Sequence, residues 1–495
     1  MLPVSLRISL VLALLSAALF QGHLSAQSPA CGSRVNNTHK KLLECVTLDG
    51  VRSHQAALQE IADANNGHRT SGAPGFDASV AYVQQVLSDA GYLVTLQPFQ
   101  FQTFISLSPS VLEQVSPVPA GPIANTIFSY SGSGDVTAAV STVNDVRGCN
   151  AADFAGFPAG HIALISRGTC TFAIKATNAY NAGASGVVIY NNAAGVINGT
   201  LGNDFALDIP VTAVTQAAGQ QLAATPGLIL RLKTDTFRGI ATSYNVLAET
   251  PGGNPASVVM AGAHLDSVNA GPGIQDNGSS VGALLEVAVQ MARVKPRNKV
   301  RFAFWGAEES GLIGSRYYVN TLSPAEIDTI ALYLNFDLIG SPNHVFFVYD
   351  GDDSDLVGGP AGPAGSAQIE RTFARYYSKR GIPFKGTDLS GRSDYASFTA
   401  VDIPVGGLFT GAEGIKTAEE AAIWGGTAGQ AYDPCYHLAC DTFDNVNLFA
   451  LDVNADAVAY AVLQYAMNTS DVNGLRGKGT FQPAPAHEHD TAAIQ

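Results

Sequence analysis

Three stretches with different hydrophobic patterning follow one another along the chain. In the first, apolar residues recur at helical spacing. Val51, Leu58 and Ile61 mark a helix between Leu48 and Asn65, and Phe76, Val80, Val83, Leu87 and Ala90 mark one face of a second helix, stopped by Gly91. The loop HRTSGAPG (68–75) separates them and a strand is predicted over 92–96, so this segment reads α, α, β. The second stretch, from Ser116 to about Thr236, is rich in Ala, Gly, Thr and Val. It shows short predicted strands at 161–166 and 186–191 and no cluster of His and carboxylates suited to chemistry. The third alternates apolar runs with helical spacing. Strands are predicted at 244–249, 257–263, 299–305, 330–336, 344–349 and 403–409, and helices at 280–293, 310–320, 365–380 and 448–467. Such alternation predicts an α/β fold, a mixed, largely parallel sheet sandwiched by helices.

Both ends fall outside this pattern. Residues 1–26 combine Arg7, an apolar run over 8–20 and the small-residue site LSA (24–26), the signature of a secretory signal peptide. The run is too short for a comfortable membrane span, and no other stretch of the sequence is long and apolar enough for one. Residues 27–50 read as irregular chain tethered by a disulfide, with room for a short propeptide at their start. The tail, 473–495, includes His487 and His489; it has little to bury and is expected to be disordered, with both histidines solvated.

Composition narrows the picture. A chain of 495 residues, 46% hydrophobic, can bury a large core and is expected to hold two units. A formal net charge of −14 and a pI near 5.1 argue against nucleic acid or an anionic membrane as partner. Export would let the six cysteines pair. Their spacing proposes Cys31 with Cys45, Cys149 with Cys170 and Cys435 with Cys440, other pairings staying open, and it does not suit a thiolate zinc site. Glycosylation sequons stand at Asn36, Asn198 and Asn468; a fourth, at Asn277, adjoins Asp276 and is expected to stay unmodified.

The chemistry gathers where predicted strands end. The segment VVMAGAHLDSVNAGPGIQDNGSS (258–280) runs from an apolar strand into His264 and Asp266, then through a Gly/Pro loop to Asp276 at the start of a helix. The strand KVRFAFW (299–305) is followed by Glu308 and Glu309, and the strand IALYLNF (330–336) by Asp337. The cysteine-bearing loop DPCYHLACDT (433–442) supplies His437. Carboxyl ends of strands in open α/β sheets are where sites are built. Two imidazoles with three carboxylates suit zinc or a similar divalent metal, whereas calcium would take oxygens alone.

In order, AHLD, QDNGS, GAEESGLIGS, NFDLIGSP and DPCYH resemble the motif set of secreted and vacuolar di-zinc aminopeptidases, the aminopeptidase Y and bacterial leucine aminopeptidase type. The resemblance implies a zinc exopeptidase fold and two zinc ions bridged by Asp276, one also held by His264 and Asp337, the other by Glu309 and His437. It implies that Glu308 is the general base, that Asp266 hydrogen-bonds the free imidazole nitrogen of His264, and that Tyr436 stabilises the oxyanion. Arg392, in GRSDYASF with Asp394, either touches substrate backbone or makes a surface salt bridge. The lines RGTCTFAIK (167–175), AYNAGASGVVIYNN (179–192) and IPVTAV (209–214) resemble the protease-associated (PA) domain, implying a β-rich, non-catalytic insertion.

The expected organisation is then a signal peptide (1–26), the N-terminal part of the peptidase domain (27–115), the PA insertion (116–236), the catalytic zinc peptidase domain (237–472) and a tail (473–495). The expected substrates are peptides with free N-termini, large apolar residues such as leucine being the family's common preference. A related carboxypeptidase with a PA domain, a one-zinc glutaminyl cyclase and a non-catalytic binding protein are the alternatives. The second histidine-bearing loop speaks against the cyclase, the motif wording against the carboxypeptidase, and intact Glu308 against the binding protein. His39, His54, His68 and His161 receive no chemistry, and His344 reads as a strand residue.

Overall fold

A computed structural model describes residues 29–474 apart from 194, 196 and 198. The predicted signal segment, His487, His489 and the sequon at Asn198 lie outside the described residues. Two compact units are separated: residues up to Phe99 with those from Thr242 onward form one, and Gln100–Ala241 the other.

The main elements of the first unit begin with α1 (His39–Leu43), α2 (Leu48–Asp63), α3 (Pro74–Asp89) and β1 (Leu93–Ser116), which leads out of it. The chain returns through β2 (Ile229–Glu249) and continues as β3 (Asn254–His264), α4 (Gly278–Met291), β4 (Asn298–Trp305), α5 (Ile313–Thr321) and β5 (Ile330–Phe336). Then come β6 (Phe347–Tyr349), α6 (Ser366–Ser378), β7 (Lys385–Thr387), α7 (Tyr395–Thr399), β8 (Val405–Phe409) and α8 (Leu448–Met467).

The strand order is β7-β6-β8-β5-β3-β4-β2. β3 lies between β4 and β5 and runs parallel to both, and β8 extends the parallel series beside β5. β2 is antiparallel to β4, and β6 to β8. The sheet is thus mixed and largely parallel, as its sequence pattern predicts.

Successive side chains leave a strand on opposite faces, and here both faces are buried. Val259, Ala261 and Ala263 of β3, Val300, Phe302 and Phe304 of β4, and Leu332, Leu334 and Phe336 of β5 pack into one core with α2, α3, α4, α6 and α8. Val258, Met260, Ala303, Trp305, Ile330 and Tyr333 point into a second core with Tyr318 and Phe398. Each large side chain so buried contributes on the order of 1.5–3 kcal/mol. The parallel strands are held on both sides, and their C-terminal ends are fixed relative to one another.

Helix boundaries follow local chemistry. Thr47 caps α2 by accepting the N–H of Gly50, α3 opens on Pro74, and Gly91 follows α3 at φ +88°. Of the stretch expected to be irregular, the described residues 29–50 are more regular than expected, because Thr38 caps the short helix α1 and the Cys31–Cys45 bridge ties the preceding helical turn, Pro29–Ser33, to its end. The other two local pairs, Cys149–Cys170 and Cys435–Cys440, are also formed. β1 runs twenty residues past the predicted 96. Pro98 and Pro109 read as breakers in sequence, yet a strand tolerates proline where the missing N–H is not needed by a neighbour. Of the sequons, Asn468 is exposed. Asn36 is 1% exposed and donates to the Gln290 carbonyl, so the folded chain offers it no room for a glycan.

In the second unit, strands Gly134–Thr142, Ile162–Ser166, Gly186–Tyr190 and Val211–Val214 lie side by side and parallel, with helix Phe172–Asn181 connecting the second to the third and helix Gln216–Ala223 following the fourth. Among the described residues, every group of His, Asp and Glu close enough to hold an ion lies in the first unit. No described helix is long and apolar enough to cross a membrane.

Candidate metal centre and active site

Three adjacent parallel strands deliver the site. β3 ends on His264, β4 is followed by Glu308 and Glu309, and β5 by Asp337. Asp276 arrives just before α4, and the next residue locks it in place. The Asn277 side chain donates to the Phe336 carbonyl (2.9 Å) and accepts the N–H of Leu338 (3.2 Å), sewing the start of α4 to the end of β5. Turns this tight require unusual backbone. Ala307, Leu338 and His437 all sit in the left-handed region, at φ 55°, 48° and 58°. Each such residue costs on the order of 1–3 kcal/mol and persists only where its surroundings over-determine it.

These elements bring all five predicted ligands together. Asp276 stands between the imidazoles, with Oδ1 3.1 Å from His264 Nε2 and Oδ2 3.3 Å from His437 Nε2. His264 Nε2 also lies 3.3 Å from Asp337 Oδ1, and His437 Nε2 3.1 Å from Glu309 Oε2. Two triads share Asp276: His264, Asp276 and Asp337, and Asp276, Glu309 and His437. The donor atoms of each lie within 4.8 Å of one another. Glu308 forms a further group with His264 and Glu309. The site opens into a cavity of about 370 Å³, whose lining includes Glu308, Arg392 and Tyr436.

Such a density of buried charge needs a cation. Without one, the groups neutralise each other. Burial alone would lower the proton affinity of His437, but Glu309 and Asp276 overcome it and push the pKa up to about 11. Burial raises Glu308 well above the carboxylate range, with the charges of Glu309, Asp394 and Asp337 adding to it and His264 opposing. Among the described residues, Glu309 Oε1 and Asp337 Oδ1 are buried with no hydrogen-bond partner. Buried carboxylate oxygens without hydrogen-bond donors, beside imidazole nitrogens and in two triads, are the donor set that zinc takes. The residues fit the metal.

Comparison with known proteins agrees. Residues 245–462 match peptidase family M28, and residues 133–222 match the PA domain. A Pseudomonas aeruginosa protein described as an aminopeptidase is 48% identical over 448 residues, 87% of this chain and 83% of its own length. The chain belongs to peptidase family M28. Leucine aminopeptidase 2 of Trichophyton rubrum is 38% identical to this M28 peptidase over 436 residues, 87% of this chain and 86% of its own. Among solved structures, the aminopeptidase from Aneurinibacillus sp. strain AM-1 superposes with a TM-score of 0.59 at 28% identity, covering 90% of this chain and 99% of that one. The PA domain at residues 133–222 is an insertion in the chain.

Other predicted residues of the M28 peptidase find their places. Asp266 differs from expectation in detail. His264 Nδ1 meets the backbone carbonyl of Asp266 at 3.1 Å, while the carboxylate is 3.9 Å away and instead accepts the N–H of Glu308 at 3.1 Å. The irregular chain after β3 points the carbonyl back at the ring and leaves the side chain to reach the segment that follows β4. Tyr436 stacks on His437, with ring centroids 3.8 Å apart. Arg392 makes a salt bridge to Glu413 (2.8 Å) and also lines the cavity. Asp394 is buried near the site, and burial first, then neighbouring carboxylates, hold its pKa up at about 7. His344 is not a strand residue as expected, since β6 begins only at Phe347; it packs against Phe346, and burial lowers its pKa to about 4, so it stays neutral in the core.

Sequence reading missed Ser393. Its hydroxyl donates to Asp337 Oδ2 (2.7 Å) and accepts from Asn335 Nδ2 (2.9 Å). Asn335 in turn accepts from the Tyr333 hydroxyl (3.1 Å), which accepts from Trp305 Nε1 (2.8 Å). This buried chain orients a predicted ligand from the side away from the imidazoles. A polar Asn335 inside the otherwise apolar run IALYLNF was the one signal available.

Proposed function

We propose that this M28 peptidase is exported and removes single residues, large apolar ones such as leucine foremost, from the free N-termini of peptides, using two zinc ions. The chain is a zinc-dependent aminopeptidase. The observation that carries the finer reading is Asp276, with one oxygen toward each imidazole and with Asp337 and Glu309 completing either side. Two zinc ions, held by His264, Asp276 and Asp337 and by Asp276, Glu309 and His437, would lower the pKa of the attacking water and polarise the scissile carbonyl.

Other steps fall to the chain's own side chains. Glu308, on the cavity wall with its backbone held by Asp266, takes a proton from the attacking water and returns it to the leaving amine. Tyr436, stacked on His437 and facing the same cavity, donates its hydroxyl to the developing oxyanion. Arg392 reaches substrate backbone from the rim, and the surrounding carboxylates anchor the free α-amino group. Leucine preference is supported by the name of the Trichophyton relative. Export is supported by the pattern of residues 1–26 and by three disulfides.

The test combines a metal count by mass spectrometry with rates on leucine p-nitroanilide and on one peptide with its N-terminus free or acetylated. Two zinc ions per chain, cleavage of the free forms only, loss in chelator and recovery with zinc are expected. Equal rates on the two peptides would point to an endopeptidase or carboxypeptidase. Activity surviving exhaustive chelation would remove zinc from the mechanism.

A further inference from the structure

Between His264 and Asp276 the chain has no regular secondary structure, yet all but Val268, Asn269 and Ala270 of residues 265–275 are buried. Backbone groups in such a segment must find partners or cost folding free energy. Two buried side chains from opposite ends of the sequence supply many of them. Arg69, fully buried in the HRTSGAPG loop, donates to three carbonyls: Pro272 (2.9 Å), Gly273 (2.7 Å) and Leu265. Asp441, 2% exposed and just past Cys440, accepts the N–H of Gln275 on Oδ1 (2.8 Å) and that of Asp276 on Oδ2 (3.0 Å).

The division of labour is chemical. A guanidinium carries five donors in a rigid fork, so one side chain can gather carbonyls from both ends of the loop, Leu265 at its start and Pro272 and Gly273 near its close. A carboxyl group has two acceptor oxygens, which match two successive N–H groups. Packing leaves little slack: at Gly273, φ +64°, a Cβ would lie 2.4 Å from the Asp276 carbonyl oxygen and 3.3 Å from Arg69 Nη2. Asp441 also stands four residues after His437, so it ties the loop of one imidazole to the backbone of the residue between both.

We propose that Arg69 and Asp441 are positioning residues that hold the 265–276 loop, and with it Asp276, in its metal-receiving geometry before any metal arrives. This rests on reading Asp276 as the ligand shared by two zinc ions. Neither residue touches the reacting atoms. Their contribution is preorganisation: with the loop clamped, zinc binding need not order it. Partners of this kind, which orient ligands without binding the metal, typically contribute about 10- to 100-fold in metal affinity or activity.

The experiment measures zinc affinity by chelator competition, together with the thermal midpoint of the metal-free protein, for wild type, Arg69→Lys, Asp441→Asn and the double variant. Lysine keeps the charge but cannot reach three carbonyls at once. Asparagine keeps the size but turns one acceptor into a donor. Each single change should weaken zinc binding about 10- to 100-fold. The double loss should be smaller than the product of the two, because both residues hold one loop. A core control, Val83→Ala, should lower the thermal midpoint and leave zinc affinity alone. Wild type that binds no zinc would sink the reading of the site. Wild type binding two, with the variants shifted only in thermal midpoint like the control, would overturn the clamp alone. So would losses that multiply in the double variant.

Discussion

Replacing Ser393 with alanine tests whether the buried hydrogen-bond chain beneath Asp337 sets the ligand or merely fills space. The change removes a hydroxyl that donates to Asp337 Oδ2 at 2.7 Å and accepts from Asn335 Nδ2 at 2.9 Å. Ser393, Asn335 and Asp337 are 5%, 1% and 7% exposed, so water cannot readily replace it. A hydrogen bond to a charged group is worth about 1.5–3 kcal/mol, and an orphaned buried amide costs about 1 kcal/mol or more. Together they predict that the metal-free protein loses roughly 2.5–4 kcal/mol, read as a lower urea midpoint at unchanged slope. Freed from its donor, the Asp337 carboxylate should also hold zinc about 10- to 100-fold less tightly. Chelator competition reads the second effect and urea unfolding the first. Stability lost with zinc affinity intact would show that the chain serves the fold and not the ligand. If neither moved, the hydrogen bonds would have no energetic weight and the reasoning fails.

Other outcomes follow from the same geometry. Glu308→Gln should lower kcat by about a hundred- to ten-thousand-fold with zinc content and KM little changed, while Glu309→Gln should lose zinc first; the reverse pattern in paired kinetics and metal analysis would exchange their roles. Cys435→Ser with Cys440→Ser opens the loop that carries Tyr436 and His437, and should weaken zinc binding and turnover together; an unaltered zinc affinity would show that the bridge does not hold His437. Glu370 is pushed up to about 8 from its ordinary 4.5, by burial first, with Asp350, Asp352 and Asp355 adding and the Gly351 N–H opposing. The folded chain then holds this proton more tightly than the unfolded one, so its contribution is fully present below about 4.5 and is lost as pH rises through about 8. Glu370→Gln should flatten the fall of the thermal midpoint across that window, and a difference curve independent of pH would refute the assignment.

How much of this was legible in sequence depends on where each partner lies. His264, Glu308, Glu309 and Asp337 were visible because each follows an apolar run, and a parallel strand buried on both faces has no other way to end in polar residues. The sheet order required pairing across the chain, yet the alternation of strands with helices already implied a parallel core. The full length of β1 was hidden by Pro98 and Pro109, which local reading takes as stops.

The residues that hold the site were hidden for a different reason. Arg69 meets its carbonyl partners about 200 positions away, and Asp441 its N–H partners about 165 away. Each stands alone in a loop of small and polar residues, where a solvated side chain leaves the same trace. Asp266 was seen but given the wrong partner, since sequence spacing cannot tell a backbone carbonyl from a carboxylate two atoms farther along the same residue. Ligands can be read from what precedes them in the chain, whereas the groups that aim them are fixed by what folds onto them. For that reason the decisive measurements on Arg69, Asp441 and Ser393 concern metal affinity in the folded protein, where the long-range contact exists to be broken.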